Sequence, residues 1–242
     1  SWSWWSGDYA TDVTFKYGMN TETMKHYIDF SAGNGIEYMM LDEGWSADVG
    51  GRSRDLTKTN PRIDMPAIMA YAKEKNVGIW LWCYWTFVDS QMDEAFPLFE
   101  KWGVKGVKID FMDRDDQDMV NFYHRVMKKA AEHKLMVDFH GAYKPCGLRR
   151  YYPNLLTREA AMSLEYVKWS NRVTAEHNVR LAFTRMLAGP MDYTPGGFFN
   201  VAPEKFVPRN LNPTVPTTRA HQVALYVVFE SGFTMLADYP GA

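Results

Sequence analysis

A chain of 242 residues is enough for one large domain or two small ones. With 46% hydrophobic and 23% charged residues it reads as globular, neither disordered nor fibrous. Lys plus Arg total 27 against 29 Asp plus Glu, a formal charge of −2, which excludes the clustered basic excess of a nucleic-acid binder. No run nears the roughly 18 consecutive apolar residues of a membrane span. The unusual figure is an aromatic content of 15%, including 9 Trp, which a soluble core alone does not require.

In chain order, short apolar runs occupy Trp2 to Trp5, Ile36 to Leu41, Val77 to Trp82 and Val104 to Phe111. Four more follow at Leu135 to Phe139, Leu155 to Thr157, Leu181 to Leu187 and Phe233 to Ala237. Several are continuously apolar, as expected of strands buried on both faces of a parallel sheet. Helix-like stretches separate them at Thr21 to Asn34, Asp64 to Asn76, Asp89 to Trp102 and Asp116 to His133. In the last, Met119, Val120, Tyr123, Val126, Met127 and Ala130 recur three and four apart. Pro66 and Pro97 suit early helix positions, and Gly33 and Gly35 suit a helix stop.

Strand–helix alternation repeated about eight times predicts an α/β fold, a (β/α)8 TIM barrel. An open doubly wound sheet shares the alternation, but neither GxGxxG nor GxxxxGKS/T follows the first run, and polar residues follow nearly every run. The eighth run stops at Asp238 to Ala242 with no final helix, and no apolar leader opens the chain. The expectation is therefore one barrel over residues 1–242, truncated after its eighth strand. The Pro-, Gly- and Asn-rich stretch Pro190 to Pro216 is expected to be a substrate loop between the seventh and eighth strands. Cys83 and Cys146 lack metal or redox spacing and read as two unrelated thiols, Cys83 in a core strand.

In such a barrel the reacting groups lie at the C-terminal ends of strands. Those positions hold Asp42, Glu43 and Trp45, then Trp82, Tyr84 and Trp85, then Lys108, Asp110 and Asp113. His140 follows, then Arg158, Glu159 and Glu165, and last Asp192 and Tyr193. Carboxylates interleaved with Trp and Tyr suit sugars, because rings stack on pyranose C–H faces and carboxylates bind hydroxyls. Lys108 and Asp110 share a strand face, either as a buried salt bridge or as a nucleophilic carboxylate with a neighbouring ammonium. Glu159 and Glu165 are six apart, too far to share a helix face. They are solvated glutamates, ligands of a hard cation such as Ca2+, or one of them a general acid. His140 reads as structural by itself, and His124 and His133 as surface residues. No HExxH supports zinc. Asp113, Asp115, Asp116 and Asp118 fail the EF-hand pattern and read as a helix-capping cluster.

Several segments, in this order and spacing, resemble the catalytic barrel of glycoside hydrolase family 97 over essentially the whole chain. They are Ser1 to Trp5, Leu41 to Trp45, Lys108 to Gln117, Asp138 to Gly141, Leu156 to Glu159 and Gly189 to Gly196. The resemblance implies a sorting between two branches. Retaining members, which include α-galactosidases, carry an aspartate nucleophile where Asp110 stands. Inverting α-glucosidases lack it and carry a base glutamate where this chain has Gly141. The match is therefore to the retaining branch, a calcium-dependent exo-acting α-galactosidase working by double displacement. Asp110 is its nucleophile, Glu165 its acid/base, and Glu159, with Glu165, its Ca2+ ligands. Asp42, Lys108 and His140 are candidates for sugar hydroxyl contacts, and Trp82 and Trp85 for stacking platforms. The implied partner is an α-linked oligosaccharide or galactoside, met in the periplasm or outside the cell. Family members also carry an N-terminal β-sandwich and a C-terminal β-domain, absent from these 242 residues. The first contributes to the active site and metal shell, so this chain alone is expected to be weakly active. The alternatives are an inverting or α-glucoside hydrolase of the same family, and a non-catalytic carbohydrate-binding barrel.

Overall fold

The computed structural model describes residues 1–49 and 54–241. Helix α1 (Thr21–Gly33) leads to strand β1 (Tyr38–Leu41), and an antiparallel hairpin of β2 (Ser46–Asp48) and β3 (Arg54–Thr59) follows. Then come α2 (Met65–Glu74), β4 (Gly78–Tyr84), α3 (Trp85–Trp102), β5 (Gly106–Asp110), α4 (Gln117–Glu132), β6 (Met136–Phe139) and β7 (Leu155–Arg158). The chain continues through α5 (Ala175–Phe183) and α6 (Arg219–Val228). Strands β1, β4, β5, β6 and β7 form one sheet in that order, every pair parallel, as crossover helices require. The α/β class with a parallel sheet is thus the one the alternation predicts.

Alternation along β4 sorts its side chains between two cores. Ile79, Leu81 and Cys83 pack under the helices, while Trp80 and Trp82 join a second cluster on the opposite face. Val107 and Ile109 of β5 and Val137 and Phe139 of β6 do the same on the helix side. The apolar stripe of α4 is buried against them with Phe122 added and Val120 only half-buried, and Asp116 caps its first turn by accepting from Met119 N at 3.2 Å. Such a cap stabilises a helix by about 1 kcal/mol. On the opposite face Gly106 is required: a Cβ there would meet the Trp80 ring at 2.6 Å. The space lets Trp80 stack on Phe233 with ring centroids 4.1 Å apart.

Several expected elements differ. Trp2 makes a single parallel bridge to Met40, after which Trp4–Ser6 forms a 3-10 turn rather than a strand. Leu181 to Leu187 is not a strand. It belongs to α5 and a 3-10 turn at Arg185–Ala188, with Phe183 and Leu187 exposed. A continuous apolar run fits both structures, and the Thr174 side chain decides it by accepting from His177 N at the start of α5. The place next to β7 is taken instead by Met191 to Thr194, the buried opening of the expected substrate loop, where Asp192 N donates to Arg158 O at 3.0 Å. Phe233 to Ala237 carries no assigned strand, but Ala237 N donates to Pro195 O at 2.9 Å. Pro97 lies inside α3, which starts at Trp85 directly after β4, four residues earlier than its sequence pattern suggests. No helix among the described residues is long and apolar enough to cross a membrane.

Candidate active site

The strand ends place polar side chains at matched levels. Register sets Trp82 opposite Lys108 and Lys108 opposite Asp138, and Tyr84 opposite Asp110 one level further on. Asp42 follows β1, His140 follows β6 and Glu159 follows β7, while Glu165 sits on a 3-10 turn at Leu164–Lys168. Asp42, Lys108, Asp110, Trp82, His140, Glu159 and Glu165 all line one cavity of about 220 Å³. Trp85 does not. As the first residue of α3 its ring packs against Phe122 of α4, centroids 5.6 Å apart, on the helix side of the sheet.

Lys108 is the hub. Its Nζ lies 3.4 Å from Asp42 Oδ2, 3.9 Å from Glu165 Oε1 and 4.4 Å from the Trp2 ring centre. Burial alone would discharge it, but Asp42, Glu165, Asp110 and Asp192 hold its pKa above the usual lysine value. Asp42 is fixed in turn by Trp2 Nε1, donating to Oδ2 at 2.6 Å, and by Glu43 N at 2.8 Å. Asp110 accepts at both oxygens, from Trp82 Nε1 at 3.0 Å and from Phe111 N at 2.7 Å. The second bond follows from backbone strain, since Phe111 is left-handed at φ +66° and Asp113 at φ +46°. That turn packs on Gly141, where a Cβ would lie 2.9 Å from Phe111 N and Cα and φ is +53°. Position 141 therefore has no room for a side chain.

Glu165 differs from Asp110 in every respect. Its Oε1 is buried and accepts no hydrogen bond, although His140 Nδ1 is 3.4 Å away. Burial pushes its pKa up to about 8, against Lys108 and His140 and with help from Glu159 and Asp110. Glu159 is oriented instead, by Ser163 Oγ at 2.7 Å and Gly141 N at 3.2 Å. Behind His140 lie two buried carboxylates. His140 Nε2 is 2.8 Å from Asp192 Oδ2 and 3.6 Å from Asp138 Oδ2. Burial and the charge of Asp192 push Asp138 well above the usual carboxylate range. Asp192 is held low against its burial by His140 and Lys108. Burial and Lys108 oppose the charge on His140, but Glu159, Asp138 and Asp192 prevail and raise its pKa.

His140, Glu159 and Glu165 each offer one ligand atom, all within 4.8 Å of one another, and Asp138, His140 and Asp192 do likewise. Either cluster could hold an ion, the second wholly buried and the first half-open at Glu159 and Glu165. Trp4, Phe111, Tyr166 and Trp169 also line the cavity without having been singled out for it. The signal for Trp4 is present in the two-residue spacing from Trp2, whose ring it stacks on at 5.3 Å. Tyr166 and Trp169 follow Glu165 on an irregular turn that no periodicity marks.

The glycoside hydrolase 97 profile matches residues 2–161. The chain belongs to glycoside hydrolase family 97. It is 43% identical over 99% of its length to a retaining alpha-galactosidase of Bacteroides thetaiotaomicron, and 35% identical over 99% to a probable retaining alpha-galactosidase of Streptomyces bingchenggensis. It spans 36% and 35% of those two proteins. Among solved structures, a glycoside hydrolase family 97 enzyme of Pseudoalteromonas sp. strain K8 in complex with acarbose superposes with a TM-score of 0.81. The match has 35% identity and covers 96% of this chain and 38% of that one. Of the cavity residues, Trp4, Asp42, Trp82, Lys108, Asp110, His140 and Glu159 fall within the profile, and Glu165, Tyr166 and Trp169 lie beyond its end at residue 161.

Proposed function

We propose that this chain carries the catalytic centre of a retaining, exo-acting α-galactoside hydrolase. The observation that carries the reading is the contrast between two carboxyl groups on one cavity. Both Asp110 oxygens are oriented by donors, while Glu165 has no donor and a pKa raised to about 8, so it holds a proton at neutral pH. In the first step an Asp110 oxygen attacks the anomeric carbon as Glu165 passes its proton to the departing glycosidic oxygen. A β-linked glycosyl ester forms and the aglycone leaves as an alcohol. Glu165, now a carboxylate, takes a proton from water, whose oxygen displaces Asp110, and the sugar leaves with α configuration. The crowded Gly141 supports retention over inversion, because a base glutamate at 141 would collide with the Phe111 backbone.

Asp42, Lys108 and His140 are assigned to sugar hydroxyls. Trp82 spans the sugar site and Asp110, which its indole N–H orients. The galactoside assignment rests on the two curated relatives, and acarbose in the Pseudoalteromonas enzyme supports an α-linked substrate class. We assign Ca2+ to the Glu159 carboxylate, which leaves Glu165 free to carry its proton. Glu159 lies at the edge of a group of ligand atoms within 4.8 Å of one another and suits a hard cation, with further oxygen ligands needed to complete its shell. When bound, such an ion supplies positive charge that orients the acid and substrate. The sheet, with Trp2 against one edge and Met191 to Thr194 against the other, is assigned as a (β/α)8 barrel, accompanied in the full polypeptide by the family's flanking β-domains.

The test is to trap the intermediate in the full polypeptide with a fluorinated α-galactosyl fluoride and map the label by peptide mass spectrometry. A galactosyl adduct on Asp110 is expected. An adduct on another residue, or turnover with no adduct and no inactivation, contradicts the assignment.

A further inference from the structure

Two lysines are buried beside the cavity, and only Lys108 is paired with carboxylates. The other, Lys168, is 4% exposed and closes the same 3-10 turn that carries Glu165. Among the described residues no carboxylate forms an ion pair with it, and Glu165, Asp42 and Asp8 act on it only through longer-range charge. Burial pushes its pKa down to about 8, so the ammonium is kept in place at a cost.

What the ammonium holds is the start of the chain. Its Nζ donates to Trp5 O at 2.5 Å and to Trp4 O at 3.5 Å. It lies 4.2 Å from the Trp4 ring centre and 5.9 Å from that of Trp5. A cation over an indole face is attracted by the ring quadrupole, most strongly where water is excluded. The three tryptophans of this segment differ in what fixes them. The Trp2 indole N–H is anchored on Asp42 at 2.6 Å and that of Trp5 on Asp238 at 3.2 Å. Among the described residues the Trp4 indole has ring contacts alone, with Trp2 at 5.3 Å, Trp169 at 6.5 Å and the Lys168 ammonium. Yet Trp4 is the one of the three that lines the cavity.

We infer that Lys168 is a positioning residue for Trp4. Its ammonium holds the ring in the cavity wall, and its bonds to the Trp4 and Trp5 carbonyls hold the backbone beneath. Lys168 does not line the cavity itself, so it acts through the tryptophan. The loop before Glu165 has separate anchors, Arg185 on the Glu159 and Ala160 carbonyls and His177 on Met162 O. Loss of Lys168 should therefore weaken substrate binding and spare the chemical step. This role rests on the reading of the cavity as the sugar site.

The experiment is a double-mutant cycle in the full polypeptide. KM and kcat for an α-galactoside are measured at about pH 6.5, where the ammonium is charged, in native protein, Trp4→Ala, Lys168→Met and the two combined. Lys168→Met should raise KM about fivefold, as Trp4→Ala does, with kcat within about twofold of native, and the combined variant should be no worse than Trp4→Ala alone. Lys168→Gln keeps a donor for Trp5 O and loses the cation. In the same cycle it should raise KM about twofold, and only where Trp4 is present, so the test stands if Lys168→Met does not fold. A lysine that merely supports the fold would be indifferent to Trp4. KM effects that multiply in the combined variants, an unchanged KM in the Lys168 variants, or a loss confined to kcat therefore overturn the inference. A native protein that turns over no α-galactoside overturns the reading of the site itself, and this role with it.

Discussion

The segment from Thr21 to Phe139 and the segment after it reach the same cavity by different means. The first is regular: four helices and the strands β1, β4, β5 and β6 hold Asp42, Lys108 and Asp110 at sheet ends. The second has one sheet strand, β7, and holds Glu159 and Glu165 on turns. Those turns are fixed by side chains bonding to backbone. Arg185 holds the carbonyls of Arg158, Glu159 and Ala160 at the start of the 159–165 loop, His177 Nε2 bonds Met162 O at 2.8 Å, and one backbone bond, from Leu164 N to Tyr193 O at 3.1 Å, adds to them. Asp110 is thus positioned by the ladder of the sheet and Glu165 by a few charged and polar anchors. Damage to the second region should misplace Glu165 while leaving Asp110 where it is.

The sharpest way to break that comparison is a pair of substitutions. Asp110→Asn should lower turnover of an α-galactoside by roughly 10⁴-fold or more with little change in melting temperature, since the sheet keeps its shape. Arg185→Met removes the donor to five carbonyls, of which Arg158 O keeps a second donor in Asp192 N, and should cost roughly 3 kcal/mol of stability, together with a smaller loss of turnover. Thermal unfolding and initial rates on both variants decide it. An unstable Asp110→Asn beside a fully stable Arg185→Met would reverse the roles of the two regions.

How far the sequence revealed this division follows from its residues. Lys108 and Asp110 stand out because charge interrupts an apolar strand, and strand alternation alone puts them on one face. Asp116 as a cap and Cys83 as a buried core thiol were equally readable. Trp85 was misplaced because β4 runs to Tyr84 and α3 begins with no loop, turning the ring from the cavity to the helix layer. Glu165 has no period to betray its role: spacing leaves it open between a solvated glutamate, a cation ligand and a general acid, and only the family resemblance makes it the acid. The grouping of Asp138 and Asp192 behind His140 is illegible for a different reason: Asp192 is visible as a strand-end residue, but the contact is made through space between elements 54 residues apart in the chain (192 − 138).

The next effect is graded by pH. Glu165 must carry its proton to act as an acid, and its pKa is raised to about 8, so kcat/KM should hold through neutral pH and fall as pH rises through about 8. The fall should approach tenfold per unit beyond that. A pH–rate profile whose alkaline limb begins near the ordinary carboxylate range would place the proton elsewhere.

The smallest effect separates two tryptophans. Trp4 lines the cavity, with Lys168 Nζ 4.2 Å above its ring, whereas Trp85 faces the helix layer. Trp4→Ala should raise KM by roughly fivefold. Trp85→Ala should lower the melting temperature and leave KM unchanged, and steady-state kinetics on the two variants checks both.

The central claim is that Asp110 and Glu165 act in succession on one anomeric carbon, and the stereochemistry of the first product reads it directly. Proton NMR of an α-galactoside digested by the full polypeptide should show α-galactose appearing first, with the β anomer following only at the rate of mutarotation. β-Galactose as the first-formed product would mean single displacement by water, and would contradict the role given to Asp110.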